Sequence, residues 1–296
     1  MRPHALARPA LAAPRAARPL VCAAANSPPP DVSRNVVRRE VRAPPLAEEA
    51  ARPDLPSDGL CLAFVSESGY CRAPLAAAAA RRALAALSPP LSSPVVICEA
   101  LASRDYCAGR PPSPDAAAVA ATRGLADPAF SAARATPFLP ATHAVRADLL
   151  AVVDRFVAAD VLREVTVFDT VAAGETAAYG SKVRLLGGFA KAGGGGGEGS
   201  GSAVDALVAA SAAGEGEDSD IDDPLYGNGG GPAQAAAVDA AAAACEAGAG
   251  GLVAWLGALD REATVAGIPL RAALSGALGT AGEITWLVPP MLAPRG

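Results

Sequence analysis

The apolar run at residues 60–65, Leu-Cys-Leu-Ala-Phe-Val, passes through a short polar loop into Pro74 and an alanine-rich stretch that reaches Leu87. Six apolar residues bounded by polar ones suit a strand buried on both faces, and the alanine run suits a helix. A strand that turns this quickly into a helix belongs to a βα unit, which returns to its sheet by a right-handed crossover. The pattern recurs. Apolar runs at 94–98 and 149–153 and the short Val-Arg-Leu-Leu stretch at 183–186 read as strands, and 115–124, 155–164 and 232–259 read as helices. The expected fold is α/β, a three-layer arrangement with a central four-stranded parallel sheet and helices on both faces. Ligands of such sheets sit beyond the carboxyl ends of the strands, where the loop after Val65 falls.

That loop reads Ser66-Glu67-Ser68-Gly69-Tyr70-Cys71-Arg72. A strand, a short loop and a helix N-terminus make an anion cradle, because free backbone amides and the positive end of the helix dipole converge on one point. Arg72 adds a planar fork that can hold a phosphate through two hydrogen bonds. The phosphate-binding set is therefore Glu67, Ser68, Gly69, Tyr70, Cys71 and Arg72. An enzyme that attacks phosphorus from such a cradle wants a thiolate six residues before the arginine, and here that position is Ser66.

The segment Ser66-x5-Arg72-Ala73-Pro74 resembles the C-x5-R-[ST]-P signature of the low-molecular-weight protein tyrosine phosphatases, without its nucleophile and without the Ser/Thr after the arginine. Three later stretches agree in order. Tyr106, Gly109, Pro111 and Pro112 match a Y-x-x-G-x-P-P loop, Lys182-Val-Arg-Leu-Leu-Gly187 resembles the fourth strand, and Asp223-Pro-Leu-Tyr-Gly-Asn228 resembles a late D-P-Y-Y-G-N loop. The resemblance implies that Asp223 occupies the general-acid position and that Leu225 and Tyr226 wall a slot for a phenyl ring. It implies a phosphate monoester or phosphotyrosine as ligand and no cofactor or metal.

Chemistry at residue 66 is the weak point. A cysteine's pKa can be pushed below neutral by an arginine, loop amides and a helix dipole, whereas a serine hydroxyl starts far too high. Serine hydrolases solve this with an adjacent base, usually histidine, and this chain has only His4 and His143. Glu67 sets a carboxylate against a dianionic phosphate, while Gly69 supplies the left-handed backbone that the loop needs. Ala73 lacks a hydroxyl that supports the family's nucleophile, and Ser131-Ala-Ala-Arg134 lacks the histidine of the family's H-x-A-R.

Each residue also has a plainer reading. Arg72 could bridge to Glu67, Asp223 could be a turn residue before proline, and Tyr226 could be ordinary packing. Cys71 reads as a buried loop thiol rather than a substitute nucleophile, and Asp154 as a helix cap or a loop aspartate. Three functions follow: a phosphate-binding or phosphotyrosine-binding module with impaired hydrolysis, a weakly active phosphatase, or a structural module whose cradle is closed by its own side chains.

The rest of the chain narrows the partners. A net charge of −5 and a pI near 5.2 offer no basic surface for nucleic acid. No run of about eighteen uncharged apolar residues exists, so no membrane span is expected. The six cysteines show neither C-x-x-C nor zinc spacing and read as free thiols. Residues 1–23 carry Arg2, Arg8, Arg15 and Arg18 with no acid before Asp31, the pattern of an organelle transit peptide. Val21-Cys-Ala-Ala24 resembles a plastid processing site, which favours the chloroplast over the mitochondrion or cytoplasm. Residues 24–57 read as a proline-rich linker, 58–259 as the domain with a glycine-rich insertion at 192–216, and 260–296 as a C-terminal extension.

Overall fold

The computed structural model describes residues 55–170, 179–194, 202–213, 219–228 and 230–284. The expected transit peptide, almost all of the linker and parts of the insertion and extension lie outside the described residues. Strand β1 (Leu60–Ser66) is buried along its whole length, as its unbroken apolar sequence requires. It pairs in parallel with β2 (Val95–Ala102) on one side and with β4 (Leu149–Val152) on the other. Strand β5 (Val183–Leu185) extends the sheet beyond β4, and β3 (Thr136–Pro137) adds a short edge beyond β2. The order is β3-β2-β1-β4-β5, so the expected four-stranded parallel sheet carries one further two-residue strand. Its Pro137 lacks an amide to donate, which suits an edge.

Helix α1 (Arg72–Ala86) joins β1 to β2 in one direction, and α4 (Arg155–Phe168) joins β4 to β5 in the other. Right-handed crossovers that run in opposite directions put their helices on opposite faces, which gives the three layers. The direction changes between β1 and β4, making that gap the topological switch point. Helices α2 (Pro114–Thr122) and α3 (Pro128–Ala132) fill the route from β2 to β3. Ser113 and Asp127 cap them through side-chain oxygens.

Helix α5 (Leu186–Gly194) and the long α7 (Gly231–Ala266) pack closely, with α7 also against α1. Glycine makes the approach possible: a Cβ at Gly251 would lie 2.0 Å from the Phe189 carbonyl oxygen, and one at Gly248 would lie 2.8 Å from that of Leu186. By length and composition α7 could cross a membrane, but 61% of its most apolar window is buried in the protein, as in a core helix.

Three sequence expectations change. The stretch 192–216 is not uniformly irregular: α6 (Ala203–Ala213) forms there, because Leu207 is buried and Ala203 accepts a 2.8 Å hydrogen bond from Trp255 Nε1. The boundary at 259 falls inside α7, which continues until Gly267 stops it in a left-handed conformation. Beyond it, α8 (Leu270–Ala281) buries Leu270, Leu274 and Leu278, so this part of the extension belongs to the folded unit. The thiols are not all free either. Cys61 is disulfide-bonded, while Cys71, Cys107 and Cys245 are free and buried.

Candidate phosphate site

Ser66 ends β1 and Arg72 begins α1, so the loop between them sits beside the switch point. Its carbonyls are tied to the neighbouring loop: those of Ser66, Glu67 and Tyr70 accept from the amides of Ser103, Arg104 and Ser113 at 2.8–2.9 Å. Gly69 takes φ of 69°, and a Cβ there would lie 2.7 Å from that of Ala102, so both conformation and space call for glycine. With the carbonyls committed, the amides of Ser68, Tyr70 and Cys71 find no acceptor among the described residues. Cys71 is the N-cap residue of α1 and makes no side-chain cap. The first turn therefore keeps unsatisfied donors, the property that draws anions to helix N-termini.

Ser66 is buried, and its Oγ accepts the Gly69 amide at 3.1 Å. No histidine approaches it among the described residues. His143 stacks on Phe138, accepts the Leu139 amide and lines a separate cleft beside α3. Cys71 offers no replacement, since burial, followed by the charge of Asp223, pushes its thiol up to about 12.

Arg72 is the centre of the site and is 2% exposed. Nη1 donates to Asp154 Oδ2 at 2.6 Å and to the Ile221 carbonyl at 2.5 Å, and Nη2 donates to Asp223 Oδ2 at 2.7 Å. Burial opposes its charge, but Asp154 and Asp223 outweigh that and raise its pKa further. The two aspartates each do a second job. Asp154 Oδ1 caps α4 by accepting the Val157 amide at 2.8 Å, and Asp223 Oδ1 accepts the Leu225 amide at 3.0 Å, forming a turn. The cap and turn roles of both residues thus coexist with their pairing to Arg72.

Glu67 does not bridge to Arg72. Its Oε1 accepts from the Tyr226 hydroxyl at 3.0 Å, and Tyr106 joins the same cluster. Burial, then a hydrogen bond with Tyr226, then the Glu67 charge raise the Tyr106 pKa well above that of a free phenol. A cleft of about 960 Å³ opens here, lined by Glu67, Arg72, Phe156, Asp223, Tyr226 and the alanine face of α7, among others. Tyr226 lines this cleft. Leu225 does not: it packs against the hydrophobic core, where a branched apolar side chain gains more than at a wet rim.

Sequence reasoning missed the Ile221 carbonyl as an Arg72 partner, since Ile221 lies in the acidic loop between the insertion and Asp223, where no motif singles it out. It missed Phe156 as well, 81% exposed at the cleft. An apolar residue at an exposed first turn of a helix was the signal available. No group of three or more His, Cys, Asp or Glu residues among those described could hold a metal ion.

No protein-family model matches the chain, and no curated protein matches it. Among solved structures it is similar to Vibrio vulnificus Wzb in complex with benzylphosphonate, with 14% identity and a TM-score of 0.42, over 66% of this chain and 97% of that one. A likeness this distant assigns no function.

Proposed function

We propose that this chain binds the phosphate of a monoester, phosphotyrosine included, in the loop from Ser66 to Arg72, with little or no hydrolysis. One observation carries the reading: unpartnered amides and an uncapped helix N-terminus surround Ser66, beside a buried arginine at the switch point of a parallel sheet. Supporting it, parts of two later motifs come close to the loop: Tyr226 lines the cleft with Tyr106 hydrogen-bonded to it, and Asp223 pairs with Arg72. Ligand phosphate takes the place of Asp223 on Arg72 Nη2. Hydrolysis fails because Ser66 has neither a low pKa nor a base to remove its proton.

The clamp on Arg72 favours a second reading, in which the arginine is a permanent brace and the cradle never opens. Titrating the full chain with tungstate or inorganic phosphate separates the two. A rise in melting temperature with anion, abolished in Arg72→Ala, supports binding. No shift at millimolar anion supports the brace. Aryl phosphate turnover should stay at the uncatalysed rate in the wild type. A wild-type rate within tenfold of a cysteine-dependent phosphatase, about 1.4 kcal/mol in barrier, would overturn the loss of hydrolysis. Ser66→Cys should create a thiol that alkylates near neutral pH, because the same amides and arginine favour its thiolate.

A further inference from the structure

Glu67 is a carboxylate that the protein fixes in place but does not neutralise. Among the carboxylates lining the cleft, Asp154 and Asp223 pair with Arg72, Asp160 with Arg104 and Arg163, and Asp220 with Arg155. Glu67 has no cationic partner among the described residues; Asp222, also at the cleft, is exposed and has none either. The two differ in that the Tyr226 hydroxyl holds Glu67 at the lip through Oε1, with Tyr106 hydrogen-bonded in the same cluster. An oriented, half-buried carboxylate without a counter-ion is costly unless something else supplies the charge.

Ligand binding sharpens the imbalance. When phosphate displaces Asp223 from Arg72, the cleft holds Glu67, Asp222 and Asp223 uncompensated, next to a dianion. A simple alkyl or aryl phosphate leaves that repulsion in full. A ligand with an ammonium or guanidinium on its organic part cancels it, and the remaining lone pairs of the Glu67 carboxylate can receive the N–H donors.

Building on the phosphate-binding reading, we propose that the ligand of this cleft is zwitterionic: a phosphate monoester whose organic part carries a cationic nitrogen, received by Glu67 between Tyr106 and Tyr226. Glu67 is then the residue that sets specificity, and Arg72 with the loop amides sets affinity for the phosphate itself.

Calorimetric titration of the full chain with matched phosphonates tests this. The short pair is 2-aminoethylphosphonate and propylphosphonate, and the long pair is 4-(aminomethyl)benzylphosphonate and 4-ethylbenzylphosphonate, with inorganic phosphate as reference. In at least one pair the ammonium member should bind about fivefold more tightly at low ionic strength, the scale of a partly exposed ion pair. That advantage should narrow as salt is added. Glu67→Gln should remove it and should raise the neutral member's affinity by relieving the repulsion, the side chain staying in place because glutamine still accepts from Tyr226. Equal binding within both pairs overturns the proposal, and so does an advantage that survives Glu67→Gln. If inorganic phosphate and all four phosphonates fail to bind, the phosphate-binding reading falls with it; if phosphate binds and the ammonium adds nothing, only the zwitterion proposal falls.

Discussion

Asp223→Asn should make the protein less stable and a better anion binder at the same time. Arg72 Nη2 and Asp223 Oδ2 lie 2.7 Å apart, with side-chain exposures of 2% and 12%. A hydrogen bond between charged groups contributes about 1.5–3 kcal/mol, and one to a neutral acceptor about 0.5–1.5. Asparagine keeps an oxygen for the Leu225 amide or for Arg72 but loses the charge, so the folded state should lose about 1 kcal/mol. For a domain of this size that is a fall of roughly 2–4 °C in melting temperature. The same 1 kcal/mol is removed from what an incoming phosphate must overcome, so its affinity should rise roughly fivefold. Thermal denaturation without ligand and calorimetric titration with inorganic phosphate read the two effects separately. Asp154→Asn is the control, because its partner Nη1 also serves the Ile221 carbonyl and is not the position phosphate takes. It should lower stability without raising affinity. Weaker phosphate binding by Asp223→Asn would refute the claim that Asp223 and the ligand compete for Arg72.

Asp169, buried at the end of α4 with both carboxylate oxygens unpartnered, has its pKa raised to about 6 by burial and then by Glu283, against a smaller opposing effect of Lys182. A carboxyl whose pKa rises on folding binds more protons when folded, so its contribution is fully present below about pH 4 and is lost as pH rises through about 6. Asp169→Asn should therefore raise stability at pH 7–8 by on the order of 1 kcal/mol and flatten the pH dependence between 4 and 6; urea midpoints across that range check it. Gly251→Ala should destabilise by more than the roughly 1 kcal/mol that alanine adds to an exposed helix, because its Cβ would sit 2.0 Å from the Phe189 carbonyl oxygen; Gly276→Ala, which meets nothing within 4 Å, should not.

The frame of the fold is legible because burial on both faces of β1 and β4 demands unbroken apolar runs, and each run ends in a polar loop. Helix starts are legible where a side chain caps them, as at Ser113 and Asp154. The start of α1 is read two residues late, since no side chain caps it and Pro74 sits inside the first turn rather than before it. Helix α6 escapes notice because alanine and glycine flank it on both sides, and its anchors, Leu207 and the Ala203 carbonyl, are tied by tertiary contacts to residues far along the chain. The parts of the site are readable from spacing, whereas their pairing is not. Whether Arg72 meets Glu67 or Asp223 depends on where a loop more than 150 residues later comes to rest, and local sequence carries no trace of that.

That pairing bears on what the cradle can select. A guanidinium exposed to solvent would take any anion at modest cost. Arg72 is instead buried with two carboxylates and a carbonyl, so an incoming ligand must replace a charged acceptor already in good geometry. A monoanion with one acceptor oxygen offers nothing that Asp223 does not. A phosphate dianion brings more charge and further oxygens, and those oxygens meet the amides of Ser68, Tyr70 and Cys71, which Asp223 leaves without acceptors. On the phosphate-binding proposal, selection for a dianion comes from the difference between two sets of hydrogen bonds, one made by Asp223 and one made by the ligand. The aspartate that holds Arg72 in place is, on this view, also what makes the cradle discriminate. Removing its charge should cost selectivity against monoanions even as it gains affinity for phosphate.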